Sequence, residues 1–470
     1  MRDLSRIAVI DHVSHGGVSR FLLALITHMA AMHPELTLVY YVSQTNIERD
    51  DLESKLAPIP NVTLRSIPSP IQPPQEPGLP QPGRESLWKA TAAVLKAVPP
   101  LHKVLLGMLV FVKNLKTPPP PAWWEYRMPD DVVAELGEFD VAYFGWPYYT
   151  EPVSFPTATV ATFHDFHYKH FPESYSTGQL RILDADTTEW LRRCRTAVTS
   201  THFIHDELLG YFPQVSVPVE IVYLASYGFH HPVEGAVEEA VERFGIKRPF
   251  ALYSGGCSGH KNVARILEAV GILKQQGAPV HLVISGAGTD AIGLTATEPT
   301  MDSVRVMNEA IERYGLVRGE DYHPLGYVSN ADVDALTAGA DLVVSASMYE
   351  AGCGPAMDAW LAGVPVAFSN IPPFIEQTER FGVQAWIFDP LDSADIADKM
   401  RAGIHETARS AEMVAASLHA FERYGWDDVA REYYRIFAEA AEAGPTERML
   451  TPAPSRRRFW FRRTLRGWMA

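Results

Sequence analysis

Two carboxylates, Glu350 and Asp358, flank a glycine turn in the run MYEAGCGPAMDAWLAGVPVAFSN, residues 348–370. A carboxylate beside a turn can accept two hydrogen bonds from a vicinal diol, as the acidic residue of dinucleotide-binding folds does for ribose. It cannot hold a phosphate, because like charges repel. Gly352, Cys353, Gly354 and Pro355 form the turn, and backbone N–H groups around Met357, at the start of the next helix, are suited to an anion. A second glycine loop, GGCSGHKN, carries Gly255 and Gly256 and is followed by Lys261, a cation suited to a phosphate. A phosphate held between two diols is the outline of a nucleotide sugar. The bland alternatives are solvated acids at 350 and 358, a solvated Lys261, and a His164 that merely caps a turn with its neighbour Asp165.

The elements that must position these groups follow from hydrophobic patterning. RIAVIDHV (6–13), a loop with Gly16 and Gly17, a helix and LTLVYYVS (36–43) make a β-loop-α-β opening. With only two glycines, that loop is a weak nucleotide signal by itself. Strand patterns resume at FDVAYFGW (139–146), ATVATFHDF (158–166), TAVTSTHF (196–203) and PVEIVYLAS (218–226). A second series begins at FALYS (250–254) and runs through VHLVISG, DYHPLGYV, DLVVSAS, VPVAFS and AWIFDP, with helical patterns between. Pro355 suits a first helical position and Gly363 a C-terminal stop. The expectation is an α/β protein of two Rossmann-like, doubly wound parallel-sheet domains facing a cleft, at 1–230 and 231–443. A Pro-rich and basic insertion spans 66–122, and a basic aromatic tail spans 444–470.

Composition narrows the function classes. The chain has 470 residues, which favours two domains, and a formal net charge of −15, which argues against a nucleic-acid partner. Three cysteines, Cys194, Cys257 and Cys353, are too few and scattered for a disulfide framework or a zinc site. Cys257 and Cys353 read as small fillers. No signal peptide or membrane-spanning apolar run is evident, so a cytoplasmic protein, soluble or peripheral on the inner face of the membrane, is expected.

The run from Tyr253 to Pro390 resembles the donor domain of family 4 retaining glycosyltransferases, the glycosyl transferases group 1 of GT-B fold. YSGGCSGHKN is similar to their first donor loop, LGYVSNADVDALTAGADLVVSASMYEAGCGPAMDAWLAGVPVAFSN to their longest signature, and IFDPLDSADIADKM to its sequel. HGGVSRF and VATFHDFHYKHFP are thinner matches in the first half. GWDDVAREYYRIF resembles the helix that packs back on the first domain. The resemblance implies a catalytic set of Glu350, His164 and Lys261. Glu350 would hold hydroxyls of the transferred sugar, Asp358 the ribose, and Lys261 the diphosphate leaving group, with His164 beside the donor sugar. Gly16 and Gly17 would let backbone approach the phosphate, and Gly255, Gly256, Gly352, Cys353, Gly354 and Pro355 complete the donor-binding set. No metal and no further cofactor is implied. Two positions depart from the pattern. Asp358 is one methylene shorter than the family glutamate, and Gly256 stands where many members carry an arginine, for which His260 is a candidate substitute.

The HKN loop looks more like mannosyl- and rhamnosyl-type members, which implies GDP-mannose as donor and a mannosyltransferase-like activity. The apolar, basic stretch 84–116 points to a saccharide or lipid-linked saccharide acceptor, as in polysaccharide or O-antigen assembly. The tail 455–470 holds six arginines with Phe459, Trp460, Phe461 and Trp468, a composition that settles at anionic membrane surfaces. Two other functions remain open: a non-catalytic nucleotide-sugar-binding relative, and a GT-B nucleotide-sugar epimerase. An NAD oxidoreductase is disfavoured, since neither glycine loop is followed by a ribose acid some 20 residues on.

Overall fold

The structure, a computed structural model, describes residues 3–12, 17–68, 126–153, 155–226, 229–294, 302–421 and 423–446. Gly16, the stretch 84–116 and the tail 455–470 lie outside the described residues, as does the insertion beyond residue 68.

Two parallel sheets carry the molecule. The first has the order β3-β2-β1-β4-β5-β6-β7, with β1 (Arg6–Asp11), β2 (Thr37–Ser43), β3 (Val62–Ile67), β4 (Val141–Phe144), β5 (Ala158–Phe163), β6 (Thr196–Thr199) and β7 (Val219–Ile221). The second has the order β10-β9-β8-β11-β12-β13, with β8 (Phe250–Ser254), β9 (His281–Ser285), β10 (Tyr322–Gly326), β11 (Leu342–Ser345), β12 (Val366–Ser369) and β13 (Trp386–Phe388). The central strands are mostly apolar because helices cover both faces. Every residue of β4, β5, β11 and β12 is buried. In each sheet the order reverses once, between β1 and β4 and between β8 and β11. Loops leaving strands on either side of such a reversal diverge and open a crevice at the carboxyl ends.

Two elements differ from the sequence reading. β3 lies inside a stretch with no predicted strand, because as an edge strand it buries only Ile67 fully and carries no continuous apolar run. The pattern TAVTSTHF is not one strand. Thr201 caps the helix His202–Tyr211, its hydroxyl accepting from Ile204 N at 3.2 Å, and the chain turns there.

The last helix, Trp426–Ala443, leaves the second sheet and packs on the first. Tyr433 bonds Thr162 on β5 at 3.0 Å, and Thr162 bonds Tyr143 on β4 at 2.7 Å. Trp426 lies against Phe21, with ring centroids 5.7 Å apart, and donates its indole N–H to the Ser226 carbonyl. Arg195 closes the helix by donating to the carbonyls of Gly444 at 3.0 Å and Ala443 at 2.6 Å, a cation at the negative end of the dipole. The helix thereby staples the two domains at the hinge side of the cleft.

Two glycines beside the donor-side loops separate conformational need from mere openness. Gly286 has φ 139°, and a Cβ there would lie 2.0 Å from the Gly255 carbonyl oxygen; Gly256 faces open space. Gly286→Ala is expected to destabilise the protein by at least about 2 kcal/mol in urea unfolding, since backbone must move to admit it. Gly256→Ala should stay within about 0.5 kcal/mol. Equal midpoints for the two variants would contradict this packing.

Candidate active site

The loops after β8 and β11 leave neighbouring strands, paired through Leu342↔Ala251 and Val343↔Leu252, at the point where the second sheet's order reverses. That topology brings Lys261 and Glu350 together although 89 positions separate them. Lys261 closes a short turn, Gly259–Lys261, and Asn262 follows with φ 58°, a left-handed conformation that asparagine tolerates. The Asn262 amide donates to the carbonyls of Ala346 at 3.1 Å and Pro390 at 2.7 Å, fixing this turn against the β11 loop. Met348 N donates to the His260 carbonyl at 2.8 Å and joins the two loops again. So held, the Lys261 ammonium pairs with the Glu350 carboxylate, which also accepts from the Ser347 hydroxyl at 2.7 Å. Burial works against the ammonium, but the charge and hydrogen bond of Glu350 outweigh it and hold the Lys261 pKa above the ordinary lysine value.

Opposite, β5 ends in His164 and Asp165. His164 is buried, and burial lowers its pKa to about 4 against a hydrogen bond to the Gly145 backbone. Its Nε2 has no hydrogen-bond partner, so Nδ1–H serves the Gly145 carbonyl and Nε2 is left as an acceptor. A buried acceptor without a donor is costly, and a hydroxyl-bearing ligand would satisfy it. Asp165, not His164, caps the next turn, accepting from His167 N at 2.9 Å. Burial pushes the Asp165 carboxyl up to about 6, with the Glu350 charge adding to the effect of burial.

Residues 237–417 match the family described as glycosyl transferases group 1. The second domain is a group 1 glycosyltransferase domain. Among curated relatives, O-antigen chain mannosyltransferase B of Escherichia coli is 24% identical over 273 residues, covering 57% of this chain and 67% of the relative. Mannosylfructose-phosphate synthase of Agrobacterium fabrum is 25% identical over 173 residues, about a third of each protein (36%). The Anabaena Alr3699/HepE structure with UDP and glucose superposes with a TM-score of 0.59 at 16% identity, over 93% of this chain and 100% of that one. The lipopolysaccharide glycosyltransferase WaaG does so with a TM-score of 0.56 at 13% identity, over 92% and 99%. These likenesses extend the GT-B architecture across both domains.

Several details of the site depart from the sequence expectation. Met357 N already donates to the Cys353 carbonyl at 3.2 Å, so it is not a donor for an anion. Asp358 is the fifth residue of the helix Gly354–Leu361 and lies beyond its first turn. It accepts from the Ser226 hydroxyl at 2.9 Å, and burial raises its pKa while Ser226 and the charge of Arg20 oppose the rise. Next to it, burial and the Asp358 charge push Asp334 up to about 6. His260 is no substitute cation. It bonds His167 across the cleft, Nδ1 to Nε2 at 2.8 Å, and burial next to Lys261 lowers its pKa to about 3. Cys257 and Cys353 are buried fillers whose thiols burial pushes up to about 11 and about 12. Gly17 opens the helix Gly17–Met32, and Gly255 packs its Cα against the Tyr253 ring.

Beyond the last helix, sequence reasoning missed further contacts that join the domains. Glu376 reaches over to the first domain, accepting from His202 N at 2.6 Å, Phe203 N at 3.0 Å and the Tyr223 hydroxyl at 2.6 Å. A carboxylate on a helix N-terminus is favourable, and this one crosses a domain boundary. Glu376 is the fifth residue of the helix Pro372–Phe381, and nothing in its sequence context names its partners.

The raised Asp165 carboxyl gives a pH test. Its native pKa of about 6 lies above the ordinary 3.8, so the folded state binds more protons than the unfolded one between those values. Its contribution to stability therefore falls as pH rises from about 4 to about 6 and is level above that. Asp165→Asn keeps the acceptor for His167 N and removes the titration. Melting temperatures across that range should show the variant gaining on wild type as pH rises; parallel curves would refute the assignment.

Proposed function

We propose that the protein is a retaining glycosyltransferase that moves a hexose, with mannose favoured, from a nucleoside-diphosphate sugar to a saccharide or lipid-linked saccharide. GDP-mannose is the favoured donor, and polysaccharide or O-antigen-type assembly the setting. The observation that carries this reading is the Lys261–Glu350 ion pair at the reversal of the second sheet, close enough to the end of β5 that both charges act on Asp165, the neighbour of His164. Similarity to an O-antigen mannosyltransferase supports the sugar and the setting, and a related fold that holds UDP-glucose supports the donor class.

In this reading a bound diphosphate draws the Lys261 ammonium off Glu350, and the carboxylate so released accepts hydroxyls of the donor sugar. Charge grows on the leaving diphosphate as the glycosidic bond lengthens, so Lys261 stabilises the transition state more than the ground state. His164 Nε2 accepts a sugar hydroxyl from the other side of the cleft. The acceptor hydroxyl attacks from the face the diphosphate leaves, which retains configuration. Asp358 holds ribose, with Ser226 already orienting its carboxylate. No divalent metal takes part in this scheme. Among the described residues no helix is long and apolar enough to cross a membrane. We assign membrane contact on the cytoplasmic face to the tail 455–470 and to 84–116, and liposome flotation with and without the tail would test it.

Thermal-shift measurements with GDP, UDP and their sugars identify the donor; at a hundredfold excess over Kd a ligand adds about 2.7 kcal/mol of stability. Glu350→Gln is expected to bind nucleoside diphosphate within a few-fold of wild type and to lose about a hundredfold or more in kcat. Lys261→Ala should be as severely impaired, and wild-type turnover should survive chelator. Transfer by Glu350→Gln at the wild-type rate would remove Glu350 from the reaction.

A further inference from the structure

Tyr349 immediately precedes Glu350, yet its side chain is buried in the first domain's hydrophobic cluster with Phe163, Phe166 and Phe212. Its hydroxyl accepts from Phe166 N at 2.7 Å and donates to Glu207 Oε2 at 2.7 Å. The other Glu207 oxygen pairs with His170, whose ring lies on the Tyr349 ring at 4.2 Å between centroids. Phe166 is two residues beyond His164. One hydroxyl therefore ties the residue before Glu350 to the backbone just after His164, from opposite sides of the cleft.

We infer that Tyr349 is a positioning residue which, clasped by Phe166 N and Glu207, sets the spacing of Glu350 and His164 across the cleft. The inference rests on the glycosyltransferase reading for its catalytic consequence, but not for its structural one. The side chain has no route to a bound sugar, since it is buried in the opposite domain and both hydrogen-bonding directions of its hydroxyl are used. Its effect must pass through Glu350 and through domain closure. The His167–His260 bond at 2.8 Å is a second crossing point nearby, so loss of the Tyr349 hydroxyl loosens the closed arrangement without freeing it entirely. In the proposed reading Lys261 and Asp358 of the second domain hold the diphosphate and ribose away from the clasp, so nucleotide affinity should not depend on it.

The test compares Tyr349→Phe, Glu207→Ala and Glu207→Gln in the full chain. Tyr349→Phe keeps the ring and its packing. Glu207→Gln keeps an acceptor for the phenol, whereas Glu207→Ala removes it. Expected for Tyr349→Phe and Glu207→Ala is a fall in kcat with a nucleotide sugar of about tenfold or more, with the Kd for GDP or UDP unchanged. Glu207→Gln should stay within about threefold of wild type. Small-angle scattering of the same proteins should show a larger radius of gyration for the two damaging variants and a wild-type value for Glu207→Gln. Wild-type kcat and scattering in Tyr349→Phe would overturn the inference, as would equal losses in Glu207→Gln and Glu207→Ala. Should the wild-type protein turn over no nucleotide sugar, the functional reading fails and the scattering series alone decides the clasp.

Discussion

An ammonium group largely withdrawn from water needs a counter-charge, and in this protein Glu350 supplies it to Lys261, whose side chain is only 27% exposed. Much of the cleft is arranged around that requirement. The reversal between β8 and β11 puts the two loops side by side, and the left-handed Asn262 turns the chain so that the ammonium faces the carboxylate. Asn262 amide bonds to Ala346 and Pro390 then lock the turn. The pair is also an exchangeable one. On the proposed function an anionic diphosphate would compete with Glu350 for the same ammonium, and sugar hydroxyls would compete with Lys261 for the same carboxylate. A single ligand carrying both groups can satisfy both partners at once.

The second consequence is electrostatic. On a chain of net charge −15, an anionic donor has to find a local exception to the average field. The histidines of the cleft do not provide it. Burial holds His164, His167 and His260 below the ordinary histidine value, so near neutral pH they act as hydrogen-bonding groups without charge. The neutral state is what lets His167 and His260 bond one another at 2.8 Å across the domains next to an ammonium. Were both protonated, three positive groups would crowd one corner and the domains would be pushed apart.

Most of the fold was legible because its signals are local. Continuous apolar runs mark strands buried on both faces, and glycine loops followed by helical periodicity mark parallel crossovers. The edge strand β3 escaped because it is mostly polar, and the strand pattern at 196–203 misled because threonines serve strands and helix caps alike. At the site, the loops were visible as sequence, and the strand order that makes Lys261 and Glu350 neighbours was carried by family resemblance. The roles of Tyr349 and Glu376 were not visible at all. Each bonds at least one backbone N–H group of the other domain, and backbone donors leave no trace in residue type.

That same feature explains how two domains that share an apolar cluster can also meet around the candidate site. The contacts at Phe166 N, His202 N and Phe203 N all lie just after β5 or β6, where the chain turns into a helix and its N–H groups have no partner within that helix. A phenol and a carboxylate from the second domain satisfy them. The bond at Phe166 N is buried, but that at His202 N is exposed and that at Phe203 N half-buried, so opening the cleft returns these last two donors to water at little cost. Closing it restores bonds with fixed direction, which apolar contact alone would not give. Directional but exchangeable contacts suit a cleft that, on the proposed function, would admit a charged donor and then close in one fixed arrangement.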